Sequence, residues 1–122
     1  MSEAVTGRRV LIVEDEMALV SAYRRFFAAR YEMAFAGTGD QAQRTSAVFT
    51  PHVAVVDLSL PDTDGFEVVR VLRERWPTLP VIITTGFASM VPVVESMGLG
   101  PAACLVKPFP LDDLRAAIDA AR

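Results

Sequence analysis

Short apolar runs alternate with segments of helical periodicity along the whole chain. RRVLIV (8–13) is continuous, rich in β-branched residues and bounded by charge, the pattern of a strand buried on both faces. Beyond it Leu19, Tyr23, Phe26 and Phe27 recur at helical spacing and predict an amphipathic helix of about three turns. YEMAFA (31–36) alternates and predicts a second strand. TGDQ (38–41) has the form of a capping box, with Thr38 as N-cap and Gln41 reaching back, and opens a helix that runs to about Val48. HVAVVD (52–57) predicts a third strand that ends in a carboxylate. LSLPDTDG leads into a third helix, with Asp64 as its cap and Glu67 three residues on; it carries Phe66, Val69 and Leu72 and stops at Trp76 and Pro77. PVIITT (80–85) predicts a fourth strand. A short helix over 90–97 follows, with Pro92 tolerable only in its first turn and Gly98 at its C-terminus. ACLV (103–106) predicts a fifth strand. The last helix begins at Pro110, with Asp112 and Asp113 in its positive first turn and Leu111, Leu114 and Ile118 turned inward.

Near-continuously apolar strands alternating with helices predict a parallel sheet covered on both faces. In such open sheets ligands sit beyond the carboxyl ends of the strands. Those ends carry Glu14, Asp15 and Glu16, then Asp57, then Thr84, Thr85 and Gly86, then Lys107 and Pro108. Parallel strands bring these groups to one edge. Packed carboxylates repel one another, and a hard divalent cation such as Mg²⁺ relieves the cost with oxygen ligands. Glu16 and Asp62 read as solvated or helix-capping acids. Asp15 and Asp57 come directly off apolar strands and read as metal ligands.

Lys107 is the only lysine; every other basic side chain is arginine. An ammonium is a compact point charge, whereas guanidinium is a wide planar fork. Beside a magnesium cluster and the Thr85 hydroxyl, Lys107 describes a site for a phosphoryl group. The plainer alternative is that Lys107 pairs with Asp57 in the resting protein, and the two roles are compatible. No Ser–His–Asp arrangement is evident, and His52 lies at the start of its strand, far from the edge in question. Asp57 is the better nucleophile, because a carboxylate can attack phosphorus and form an acyl phosphate.

Bulk properties narrow the class. A length of 122 residues is one domain, 1–122, with a core over about 8–121. Hydrophobic content of 52% and charged content of 22% suit an ordinary globular protein. A net charge of −3 disfavours broad binding to nucleic acid or an anionic membrane. No apolar run approaches the roughly 20 residues that span a bilayer, and after MSEAVTGRR the run VLIV is too short for a secretory core. A single cysteine, Cys104, cannot form an internal disulfide, which points to a reducing cytoplasm.

Taken together, VLIVEDE, VVDLSLPDTDGFEVVR, PVIITTG and LVKPF resemble the receiver domain of two-component response regulators, over about Arg8 to Ala121. The resemblance implies a flavodoxin-like doubly wound α/β fold: a five-stranded parallel sheet of order 2-1-3-4-5 with five helices. It implies a signalling module, not an enzyme with an external substrate, that takes a phosphoryl group from the phosphohistidine of a sensor histidine kinase or phosphotransfer protein onto Asp57. Glu14 and Asp15 match the acid pair that holds Mg²⁺, with Asp15 the direct ligand, and the backbone carbonyl of Ser59 matches the remaining protein ligand beside Asp57. Thr85 matches the switch hydroxyl, Lys107 the lysine of the family motif, and Lys107–Pro108 a join that is often cis.

Two departures stand out. Glu14 replaces the commoner Asp and lengthens the reach to metal-bound water. Cys104 stands where the family usually has Tyr or Phe, so any output is expected to use backbone and fourth-helix movement without an aromatic rotamer. As a side chain Cys104 reads as a small buried apolar residue, in preference to a redox sensor. Phe87, two residues beyond Thr85, is expected to shield the acyl phosphate, or else to cover the edge of the core. Residues 90–101 form a weakly helical apolar stretch that suits either a moving element or a partner-binding patch.

Other functions compete. A flavin or nucleotide binder on this fold needs a hydroxyl- or glycine-rich loop after strand one, where this chain has three acids. A haloacid-dehalogenase-like phosphatase needs a second acid two residues after its nucleophile, which DLSL lacks. A receiver-like docking module that takes no phosphate is the main alternative, kept open by Cys104. The chain contains no basic recognition helix, so it is not expected to read DNA itself; a downstream protein or a fused output domain is the expected recipient, with dimerisation through helix four, strand five and helix five as a further use of that face.

Overall fold

A computed structural model describes residues 7–122. Residues 1–6, read above only as lacking a secretory core, lie outside the described residues. The strands are β1 (Arg9–Val13), β2 (Glu32–Ala36), β3 (Val53–Asp57), β4 (Val81–Thr85) and β5 (Ala103–Val106). The helices are α1 (Met17–Phe27), α2 (Gly39–Phe49), α3 (Gly65–Arg75), α4 (Val91–Ser96) and α5 (Leu111–Ala120). All strand pairs are parallel, in the order β2-β1-β3-β4-β5.

The period-two alternation of a strand divides the core into two layers. Leu11, Val13, Ala54, Val56, Val81 and Ile83 pack against α2, α3 and α4 through Ala42, Val68, Val69, Leu72 and Val94. Val10, Ile12, Val53, Val55 and Ile82 pack against α1 and α5 through Tyr23, Phe27, Leu114 and Ile118. Each central strand therefore needs apolar residues at every position, which is why it reads as an unbroken run.

Local chemistry sets the element ends. The Thr38 hydroxyl accepts from the Gln41 amide at 3.0 Å. Gln41 reaches back as expected, but its Oε1 accepts from Gly37 N–H, one residue before the cap. Asp64 caps α3 by accepting from Glu67 N–H at 2.8 Å, while the Glu67 carboxylate pairs with Arg70 along the helix instead of returning to the backbone. Gly65 permits α3 to start against the end of β3: a Cβ there would stand 2.5 Å from the Asp57 carbonyl oxygen and 2.7 Å from Leu58 Cα.

Three details depart from the sequence reading. Phe26 lies outside the core, 44% exposed. It meets Phe27 edge-on and lies below the Arg115 guanidinium. Leu111 is half-buried, because the first turn of α5 sits at the rim of the sheet. A 3₁₀ turn over Ala88–Met90 precedes α4, leaving a six-residue α-helix with Val94 as its one buried side chain.

Candidate functional site

The backbone ladder continues one residue past several strand ends. Glu14 N–H donates to the Ala36 carbonyl, Leu58 N–H to Thr84 and Lys107 N–H to Thr85. These bonds fix the direction in which the next side chains leave the sheet. Glu14, Asp57 and Lys107 share the parity of Ile12, Val55 and Leu105, so strand alternation sends all three toward the α1/α5 layer. Thr85 has the opposite parity and belongs with Ile83 on the α4 side.

The result is a compact charge cluster. Lys107 Nζ donates to Glu14 Oε1 at 2.9 Å and to Asp57 Oδ2 at 3.0 Å. Both carboxylates are buried, Glu14 to 3% exposure and Asp57 to 4%. Asp57 Oδ1 accepts from Ser59 N–H at 3.2 Å, so each oxygen of the acid has its own donor. Glu14 Oε2 accepts from Glu16 N–H. Asp15 is exposed and completes a group in which one carboxylate oxygen each from Glu14, Asp15 and Asp57 all lie within 4.8 Å of one another.

The one ammonium binds two of the three carboxylates, Glu14 and Asp57. Burial pushes the Glu14 carboxyl above its ordinary value; the hydrogen bond from Lys107 opposes the shift, and the charge of Asp57 adds to it. Burial by itself would lower the Lys107 ammonium, but its bonds to Glu14 and Asp57 outweigh this and hold it above its ordinary value. Two carboxylates thus share one cation. An oxygen-only donor set of this size, with one exposed member and room for water, fits a hard divalent cation.

Thr85 is buried, and its Oγ1 accepts from Phe87 N–H at 3.1 Å. Among the described residues its proton has no acceptor. Phe87 itself is 64% exposed and so does not cover the edge of the core. The Lys107–Pro108 peptide is cis, as the resemblance implies. Cys104 is half-buried opposite Ile83 on β4. Burial, with a further contribution from Glu95, pushes its thiol up, which fits a small core residue and not a reactive thiolate.

The remaining candidates lie outside the cluster. His52 is exposed at the far end of β3, where its Nδ1 accepts from Arg9 N–H. Asp62 accepts from Gly39 N–H at 2.8 Å and Asp40 N–H at 3.1 Å, capping α2 from another part of the chain. Glu16 is the N-cap residue of α1 but makes no side-chain cap bond. The sequence reading missed Tyr23 as a neighbour of the site. Its helical spacing signals only a core residue, yet its hydroxyl feels the charges of Glu14, Asp57 and Glu16.

A doubly wound parallel sheet with a metal-competent acid cluster and one lysine at its carboxyl edge defines the class. Residues 10–119 match the family model described as the response regulator receiver domain, and the chain belongs to that family. It is 34% identical over 113 residues to the transcriptional regulatory protein KdpE of Mycobacterium tuberculosis, across 92% of this chain and 50% of that protein. It is 29% identical over 113 residues to the cell cycle response regulator CtrA of Brucella ovis, across 92% and 49%. The chain spans about half the length of the curated relatives it matches. A CheY-like receiver domain protein from Methanospirillum hungatei superposes with a TM-score of 0.84 at 28% identity, over 93% of this chain and 92% of that one. Among the described residues no helix is long and apolar enough to cross a membrane.

Proposed function

We propose that Asp57 is the phosphoacceptor of a single receiver domain spanning this chain, and that phosphorylation resets an interaction face. The observation that carries the reading is the state of Asp57. It is a buried carboxylate at the end of a fully buried strand, held on one oxygen by Lys107 and on the other by Ser59 N–H. In the reaction an oxygen of Asp57 attacks the phosphorus of a phosphohistidine donor, the P–N bond breaks, and the electron pair leaves on the imidazole nitrogen. Lys107 follows the negative charge from the Asp57 carboxylate to the new phosphoryl oxygens. The Thr85 hydroxyl turns to donate to one of them and gives up its bond from Phe87 N–H.

The residues that would hold Mg²⁺ are Glu14, Asp15, Asp57 and the Ser59 carbonyl. Bound there, the ion neutralises the acids and the oxygens of the transferring group. The donor is a sensor histidine kinase or a phosphotransfer protein, and the compartment is the cytoplasm. The output face is α4 with its flanks, where Phe87, Val93 and Met97 are exposed and no element among the described residues covers them. Relatives named as transcriptional regulators are about twice as long, so we assign any DNA contact in a protein of that layout to a part other than these residues.

Intact mass after incubation with acetyl phosphate and Mg²⁺ tests the reading, followed by a phosphorylated histidine donor. The chain should gain one phosphoryl group, with none in Asp57→Ala and none in EDTA. Absence of any gain from both donors would leave the docking-only alternative.

A further inference from the structure

One buried polar group near the site has no assigned work. Tyr23 is 1% exposed, and its hydroxyl has no hydrogen-bond partner in the described protein. Leaving such a group unsatisfied costs free energy, so native proteins give it a partner, which is often an ordered water. Helical side chains lean toward the helix N-terminus. In α1 that direction leads to the carboxyl edge of the sheet. Burial, then the negative charges of Glu14, Asp57 and Glu16, push the phenol well above its ordinary value, so it keeps its proton.

The Tyr23 side chain also lines a cleft between α1 and the β5–α5 junction. Leu19, Pro108, Phe109 and Leu111 supply its apolar wall, and Glu16, Tyr23 and Lys107 its polar groups. Its volume of about 290 Å³ exceeds what one water requires. Lys107 carries three N–H donors, and two of them are spent on Glu14 and Asp57. A third donor, a phenol and a cleft shared by both are the ingredients of a water site.

We propose that Tyr23 is a positioning residue for Lys107, acting through a water held between its hydroxyl and the lysine ammonium in the α1/β5–α5 cleft. The water accepts from the third ammonium proton, accepts or donates at the phenol, and fixes the lysine against its stem. In the phosphorylation reaction the ammonium must move from a carboxylate oxygen to a phosphoryl oxygen a short distance away. A lysine tethered on its third side makes that move along one path. This inference rests on the phosphoacceptor reading for its kinetic consequence but not for the water itself.

Tyr23→Phe removes one oxygen and no packing surface, and three measurements read the effect. A high-resolution crystal structure of the parent should show one water within hydrogen-bonding distance of Tyr23 Oη and Lys107 Nζ, absent from Tyr23→Phe. The variant's Tm should be unchanged or lower, because a satisfied hydroxyl is lost; a raised Tm would mean that the hydroxyl was truly unsatisfied, which overturns the proposal. Phosphorylation by acetyl phosphate should slow about three- to tenfold at saturating donor, with KM unchanged. Phe27→Leu serves as a packing control, expected to lower Tm and leave that rate alone. No shared water, or an unaltered saturating rate in Tyr23→Phe, refutes the assignment. If the parent takes no phosphoryl group from any donor, the phosphoacceptor reading fails, while the water and the Tm still decide whether Tyr23 holds Lys107.

Discussion

The Lys107 ammonium stands 3.0 Å from Asp57 Oδ2, reaching across from β5, two strands away from β3. Its other carboxylate partner, Glu14, is equally buried. Removing the cation leaves two buried acids facing each other. Lys107→Ala should therefore destabilise the protein by about 3 kcal/mol without divalent cation. Mg²⁺ should restore more stability to the variant than it adds to the parent, since it replaces the only positive charge. The sign of the pH effect follows from Glu14. A carboxyl held above its ordinary value stabilises the fold below that value and loses the contribution as pH rises through its folded value. Lys107→Ala should thus be most destabilised at neutral pH and less so as pH falls toward 4.5. Thermal melts across that range, with and without Mg²⁺, check both statements; equal Mg²⁺ shifts in parent and variant would contradict them.

Lys107→Arg preserves charge and should not preserve function. The site offers one carboxylate oxygen on each side of a point charge, in a cluster where Glu14 and Asp57 are both buried. A planar fork needs more width than that. The phosphorylation rate should fall by about tenfold or more, a loss of roughly 1.4 kcal/mol in transition-state stabilisation. A rate within a factor of two of the parent would show that the lysine's shape is immaterial.

Gly65 joins the site to the scaffold. Its amide donates to the Leu58 carbonyl at 2.9 Å, and its missing Cβ lets the start of α3 lie on the Asp57 backbone. Gly65→Ala would push a methyl against backbone atoms at 2.5 and 2.7 Å, which cannot rotate away. The cost should be about 2–3 kcal/mol, near the upper end for overpacking. Because the displaced atoms belong to Asp57 and Leu58, Mg²⁺ affinity should weaken as well. Denaturant melts and Mg²⁺ titration by NMR shifts would measure the two effects; a change in neither would mean that the helix start yields freely.

At the opposite end of the sheet, Asp119 on α5 receives the Arg30 guanidinium at 2.7 Å and the Tyr31 hydroxyl. Partial burial alone would raise this carboxyl, but the bonds from Arg30 and Tyr31 prevail and hold it below its ordinary value. A depressed carboxyl contributes stability above its unfolded value of 3.8 and loses it as pH falls through the folded value. Asp119→Asn should be less stable than the parent at neutral pH by about 1 kcal/mol or less, given the exposure of the pair. The difference should hold down to about pH 5 and close below 3.8. A gap that is constant into strong acid would exclude the ionised carboxylate as its source.

What the chain revealed on inspection was mostly local or periodic. Unbroken apolar runs disclosed four strands and alternation the second, and the Thr38 and Asp64 caps disclosed two helix starts because cap and amide are three residues apart. The cluster of Glu14, Asp15, Asp57 and Lys107 was legible because strand ends in a parallel sheet share one edge. Contacts that depend on side-chain reach were not. Asp62 caps a helix more than twenty residues earlier, and Arg8 closes the end of α5 by donating to the Ile118 and Ala121 carbonyls. Phe26 has the same spacing signal as Phe27, yet one is exposed and one buried, because a helix of this width hides only a stripe. Tyr23 reads as ordinary core in sequence, and only its buried, unpartnered hydroxyl within the influence of Glu14, Asp57 and Glu16 gives it a second meaning.

Phe87 is tied to Thr85, the proposed switch residue. Its amide donates to Thr85 Oγ1, and its ring is largely exposed, so it contributes little to the core. On the proposed phosphoacceptor reading, a Thr85 hydroxyl turning toward a phosphoryl oxygen would deprive the Phe87 amide of its acceptor and free the loop after β4 to settle over the site. A large apolar ring there would hinder the water that hydrolyses the acyl phosphate. Phe87→Ala should therefore shorten the phosphoryl lifetime by about three- to tenfold, equivalent to roughly 1 kcal/mol of barrier. Its effect on stability should stay within about 0.5 kcal/mol, as for an exposed position. Phe87→Lys should differ from Phe87→Ala, since an ammonium near the phosphoryl group can stabilise it electrostatically while its flexible stem admits water. Following loss of the phosphoryl mass after removal of donor distinguishes the cases. Decay at the parent rate in both variants would show that the ring never covers the phosphate, and the lifetime would then be set by groups inside the cluster.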